Sequence, residues 1–147
     1  MSRDIITIFL TSLTPVLELR GGMVLAWGLQ VPLPFAMAVC ITGSTLLGII
    51  TYTFGEIFVT ILRKILPFYM ESVERKKEKL LKNYEKWGYI ALTLFIGIPL
   101  PGTGAFTGAL LAGLLELKPI PTFIAIVAGN TVAATILSLL FLIKRGG

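Results

Sequence analysis

Apolar positions in this chain come in runs that are long and carry few charges. Residues 33–62, 89–117 and 120–143 are such runs. None keeps the polar stripe that a helix packed on a water-soluble core turns towards solvent. About 20 apolar residues are enough to cross a bilayer. The pattern therefore predicts spanning helices at 33–62 and 120–143. In the first, Gly43, Ser44 and Gly48 form a small-residue face for close helix approach, and Glu56 lies near the headgroups.

The remaining apolar stretches, 5–31 and 89–117, are interrupted. In the first, Thr14-Pro15 breaks the run. Threonine is a good N-cap and proline suits a first helical turn, so a new helical piece is expected there. It carries Glu18, Arg20 and then Gly21-Gly22, and closes at Pro32. One alternative is a single helix over 5–31, about 40 Å long, with an embedded ion pair. Against it, residues i and i+2 do not face each other on a helix, and the breakers gather in mid-run. In the second stretch Pro99, Pro101, Gly102 and Gly104 make a strong break, with Thr103 as expected N-cap of the next helix. That helix, 105–117, is too short to cross alone. Irregular backbone at membrane depth is tolerated only where protein or a water-filled cavity covers it. Both stretches are accordingly read as re-entrant hairpins.

Between the halves the character changes. Arg63, Lys64, Arg75, Lys76, Lys77, Lys79, Lys82 and Lys86 stand against four glutamates over residues 63–87. Val73, Leu80, Tyr84 and Trp87 recur at helical spacing, and Glu71/Arg75 and Glu78/Lys82 are favourable i,i+4 pairs. This reads as a basic amphipathic helix on an anionic lipid surface, or as a solvated connecting helix.

The two halves align on each other at an offset of 86 to 87. Pro15, Gly22 and Gly43 meet Pro101, Gly108 and Gly129; Pro32 and Pro34 meet Pro119 and Pro121. The expected fold is an all-α integral membrane protein, a single domain over residues 1–147 built as an inverted repeat. The first half, 1–62, holds hairpin 5–31 and span 33–62. The connector is 63–88. The second half, 89–147, holds hairpin 89–117 and span 120–143. A hairpin plus one crossing inverts the second half, and inverted repeats with broken helices are common among secondary transporters. By the positive-inside rule the connector and Lys118 face the cytoplasm, although Arg3, Lys144 and Arg145 count the other way.

Composition supports the membrane reading. The 147 residues are 55% apolar and 14% charged with a mean hydropathy of +0.87, whereas soluble domains are about 45–50% apolar and about 25% charged. No signal peptide is expected, because no small-residue cleavage site precedes Pro15. Cys40 is the one cysteine, so no intrachain disulfide forms, and histidine is absent. With no nucleophile–base set, neither an enzyme nor a metal site is expected, and no cofactor.

The candidate chemistry is therefore electrostatic. A charge near the bilayer centre is costly and marks a pathway. Glu18 and Arg20 are the two charges placed that deep. Arginine's fork suits phosphate or carboxylate, and a buried glutamate suits a coupling proton. The alternative is that the pair only holds the hairpin to its partner half. The backbone of Pro15, Gly21, Gly22, Pro99, Pro101, Gly102, Thr103 and Gly104 forms the hairpin tips, and the second tip offers helix N–H groups to an anion. Asn130 is the amide of the last span, a polar contact to substrate or packing glue.

At ELRGG (18–22) and PLPGTGAFTGALLAGLL (99–115) the sequence resembles the prokaryotic small multi-drug export protein family, related to the DedA/VTT superfamily. The resemblance implies two opposed re-entrant hairpins in the prokaryotic cytoplasmic membrane. It also implies proton-coupled translocation of polyprenyl-phosphate-type lipids, with an acidic residue in the first hairpin and arginine in the second. Here Glu18 and Arg20 are both in the first, and Phe106 and Thr107 stand where charge is typical of the second. The expected function is a small proton-coupled transporter of an amphiphile with an anionic head. Its partners are membrane lipid, the substrate, protons and a second copy in a homodimer, and not nucleic acid. Export of cationic drugs and a non-transporting organiser or complex subunit are the alternatives.

Overall fold

The computed structural model describes residues 1–100 and 102–146; for residues 58–59, 62, 69–70, 73–74 and 76–86 it describes the backbone alone. The elements are α1 Ser2–Ser12, α2 Glu18–Gly28, α3 Leu33–Ile65, α4 Pro67–Gly97, α5 Ala105–Leu114 and α6 Pro119–Gly146. Among the described residues no strand occurs. The helix α6, with 28 residues, is about 42 Å long and α3 is longer, while α2 and α5, with 11 and 10, each reach only about 15 Å. Stretches of 25 and 28 residues in α3 and α6 are apolar enough to cross a membrane.

Residues 5–31 do not form one rod. The helix α1 stops at Ser12, and α2 begins at Glu18 rather than at Thr14. Thr14 is not the N-cap, because its hydroxyl donates back to Thr11 O at 2.7 Å. That local bond offers the chain an alternative to helix and closes the preceding turn.

The second half departs from expectation in its boundaries. The connector expected at 63–88 begins as the last turn of α3, and from Pro67 on it is one continuous helix, α4, with the entry arm of the stretch at 89–117. Gly88 alone costs about 1 kcal/mol in a helix interior, too little to break a helix of this length. The break falls earlier, at Leu66, whose φ of −128° and ψ of 62° are not helical, with Pro67 opening α4. Glu71 and Arg75 pair at 3.4 Å. The side chains of Val73, Leu80 and Tyr84, of Glu78 and Lys82, and of Lys76, Lys77 and Lys79 lie outside the described residues.

Short helices α2 and α5 end in the same way, 86 positions apart. Gln30 and Glu116 take φ of 57° and 52°. Beyond them Val31 N donates to Ala26 O and Leu117 N to Ala112 O, both at 3.0 Å. These are Schellman closures, which turn the chain sharply out of one helix and towards the next. The core repeats likewise. Leu19, Met23, Ala26 and Cys40 are buried in one cluster, and Ala105, Ala109, Ala112 and Ile126, each 86 positions later, in the other.

The long helices α3 and α6 run antiparallel. Leu33 and Ala36 line a cavity with Phe141 and Arg145, Ser44 Oγ donates to Asn130 Oδ1 at 3.2 Å, and Tyr52 Oη donates to Leu117 O. The helix α5 packs on α3, and α2 packs on α6. The exterior differs from that of a water-soluble bundle: large apolar side chains cover it, while the interior mixes small residues with Ile8, Leu19, Met23, Ile96 and Ile126. Ala133, Ala134, Gly129 and Asn130 face inwards on α6 while Ile124, Val127, Leu139 and Leu140 face out. Small residues allow helices to approach closely where hydrocarbon supplies no hydrophobic drive between them.

Gly129 sits at one such approach. A Cβ there would stand 2.6 Å from Ile96 Cβ and 2.9 Å from Thr93 O. Gly129→Ala is expected to destabilise the fold by about 1–3 kcal/mol, read as a lower midpoint of helical circular dichroism on thermal unfolding in detergent. Gly55, with nothing within 4 Å of the equivalent position, is expected to accept alanine with no loss.

Candidate functional site

The segment Ile98–Gly104 separates α4 from α5 and leaves two helix ends facing the interior. Each presents backbone groups with no partner inside its own helix. The end of α4 carries carbonyls and partial negative charge; the start of α5 carries N–H groups and partial positive charge. Gly102, with φ of 81°, makes the turn between them, a conformation open to glycine. Thr103 does not cap α5. Its hydroxyl lies 2.7 Å from the carbonyl oxygens of both Ile98 and Leu100, with its one proton to give to either, and the N-cap position is Gly104.

Glu18 and Arg20 satisfy both ends from α2. Phe106 N donates to Glu18 Oε1 at 2.9 Å, so the α5 cap is a carboxylate from the other half of the chain. Arg20 Nη2 lies 2.8 Å from Ile96 O, 2.6 Å from Ile98 O and 3.2 Å from Thr103 O. The cation thus meets the negative helix end and the anion the positive one. Arg20 Nη1 and Glu18 Oε2 are 3.5 Å apart, with the two side chains 14% and 5% exposed. Arg20 Nε is buried with no hydrogen-bond partner.

An i,i+2 pair meets here because Glu18 is not on an ideal helical path. Its φ is 49°, in the left-handed region. That swings the carboxylate off the α2 spiral, at a strain of order 1–3 kcal/mol held by its partners. Gly104 completes the fit for a different reason. Its backbone is extended, but a Cβ would overlap the Glu18 carboxylate.

Of the other expected site residues, Pro15 is exposed in the α1–α2 turn, and Pro101 lies outside the described residues. Pro99 is half-buried in the α4–α5 segment. Gly21 follows Arg20 on α2, and Gly22 is buried where a Cβ would overlap Ser12 Oγ and crowd Cys40 Sγ. Asn130 bonds elsewhere than to the pair. It is fully buried and joined to α3 through Ser44 and through Thr45 Oγ1, to which Nδ2 donates at 3.0 Å. Sequence reasoning placed Ser44 on a packing face but missed its bond to Asn130, and it missed Thr45 and the part played by the Ile96 and Ile98 carbonyls. The offset that aligns the halves places Ser44 opposite Asn130 and Glu18 opposite Gly104, a signal available for both contacts.

A helical bundle with bulky apolar residues over its outside, two helices long and apolar enough to cross a bilayer and a charged pair buried at a helix break is that of an integral membrane protein. Residues 18–136 match the family model described as "Putative small multi-drug export protein", and the chain belongs to that family. No curated protein and no solved structure matches it.

Arg20→Met leaves the buried Glu18 carboxylate without its cation and is expected to cost about 3–5 kcal/mol of stability. Glu18→Gln keeps an acceptor for Phe106 N and is expected to cost less. The two changes share one network, so the double variant should lose less than the sum. Unfolding midpoints of the four proteins in one detergent form the double-mutant cycle; strict additivity would show the residues to be uncoupled.

Proposed function

We propose that the protein is a small export-type transporter, driven by protons, for an amphiphile with an anionic head such as a polyprenyl-phosphate-type lipid. The observation that carries this reading is the sealed Glu18–Arg20 pair bridging α2 to the α4–α5 break. A protein built only for rigidity has cheaper ways to join helices than a buried ion pair.

Several features favour an inverted repeat, with α1–α2 and α4–α5 as re-entrant hairpins entering from opposite faces. Helices α3 and α6 occupy equivalent positions in the two halves and run antiparallel. Ser44 touches Asn130, its counterpart 86 positions on. A residue that touches its own symmetry mate lies on the two-fold axis. In such a protein the site is at mid-depth, between broken helices. The basic residues of positions 63–87, with Lys118, favour a cytoplasmic position for that end.

The proposed cycle uses one proton. Glu18 as a carboxylate holds Arg20 and the start of α5 together. A proton on Glu18 removes its negative charge and weakens both attractions. Arg20, with its buried Nε already a spare donor, then takes the anionic head of the substrate. Departure of the substrate lets Glu18 release its proton to the opposite side and reclose the pair. A second copy of the chain is expected to complete the wall of the pathway.

The family description favours a second reading, export of cationic drugs. Glu18 would then meet the cation, which requires displacing Arg20. Vesicles separate the two readings. Purified protein in liposomes under a pH gradient is expected to move a fluorescent polyprenyl-phosphate analogue and not a cationic dye. Glu18→Gln is expected to abolish the response to the gradient. Arg20→Lys, which keeps charge but not the planar fork, should slow movement at least about tenfold. Unchanged movement in both variants removes the pair from the mechanism, and dye movement in place of the lipid favours the second reading.

A further inference from the structure

A cavity of about 660 Å³ lies away from the Glu18–Arg20 pair, between the α2–α3 turn and the last turns of α6. Its wall is apolar, with Met23, Val31, Leu33 and Leu142, and Arg145 stands on it. At its side the rings of Trp27 and Phe141 stack at 5.1 Å, 5° from parallel, and Lys144 Nζ sits 5.3 Å from the Trp27 ring centroid. No acidic residue lines it, and neither Lys144 nor Arg145 has a carboxylate partner among the described residues.

The other end of the bundle carries the equivalent cavity, of about 400 Å³, between the α5–α6 turn and α3. There the position just beyond the short helix is Glu116, which pairs with Arg63, and Glu56 also lines the wall. In the first cavity the position 86 residues earlier is Gln30. The same turn in the same conformation thus supplies an anion at one end and a neutral amide at the other. The basic rim of the first cavity is left to an anion from outside the chain.

We propose that this cavity holds an anionic membrane phospholipid, its acyl chain along the apolar wall and its phosphate against Arg145 and Lys144. Position favours a lipid. The cavity opens at the end of a membrane-spanning helix, where headgroups lie, and combines an apolar floor, an interfacial tryptophan and two cations. The site is separate from the transport reading and needs no movement of substrate.

Trp27 is the natural reporter, and Trp87→Phe makes it the sole tryptophan. In that background, brominated phosphatidylglycerol is expected to quench Trp27 more strongly than brominated phosphatidylcholine when each is titrated into mixed micelles. The preference should fall about fivefold for each basic residue neutralised, in Lys144→Gln and Arg145→Gln, the scale for a basic residue at an anionic lipid surface. Gln30→Glu, an exposed change that keeps both cations, is also expected to lower it by supplying the acid found at the other end. Equal quenching by the two lipids, or a preference that survives both Arg145→Gln and Gln30→Glu, overturns the proposal. Neither result bears on vesicle transport, so the two readings fail independently.

Discussion

One carboxylate and one guanidinium, two residues apart on α2, close both ends of a break in the opposite half of the molecule. In a low-dielectric interior the start and end of a helix are themselves charged objects, and a break that exposes both is costly unless each is met. Glu18 meets the start of α5 and Arg20 the end of α4. The ions also compensate each other, which isolated buried charges could not. The interrupted α4–α5 segment, the strained conformation at Glu18 and the glycine at 104 are consequences of that arrangement.

Around this centre the bundle is arranged by size. Alanine, glycine and serine sit at the closest contacts between helices, beside buried Leu19, Met23, Ile96 and Ile126, and leucine, isoleucine and phenylalanine cover the outside. The effect is to bring backbones near enough for side-chain hydrogen bonds to cross between helices. The Ser44–Asn130 contact is one, and it joins corresponding points of the two halves. The same positions 86 apart build the two cores and the two Schellman closures.

The halves differ where chemistry enters. Glu18 faces Gly104, so the charged capping device exists in one direction only. Gln30 and Glu116 occupy matching turns with different charge, and the cavities beside them differ accordingly. The correspondence at 86 positions runs through both buried clusters and both turns, and it lapses in charge at Glu18 against Gly104 and at Gln30 against Glu116.

Much of this was readable from residues alone. Long uncharged runs dictate membrane helices, because hydrocarbon rejects charge and demands internal backbone bonding. Pro99, Gly102 and Gly104 dictate an interruption, because no helix tolerates them together. The spacing of prolines and glycines gave the offset of 86 at which the two buried clusters and the two helix-closing turns correspond. Local sequence could not show that Thr14 and Thr103 turn their hydroxyls backwards instead of capping forwards, or that Gly88 is carried through a helix started by Pro67. Those outcomes depend on which competing hydrogen bond wins. Nor could spacing show that Glu18 and Arg20 meet, since on an ideal helix they diverge. Only the tertiary structure decided it, because α5 and α4 lie where their ends draw the two side chains together, and that attraction acts between groups more than 75 positions apart in the chain.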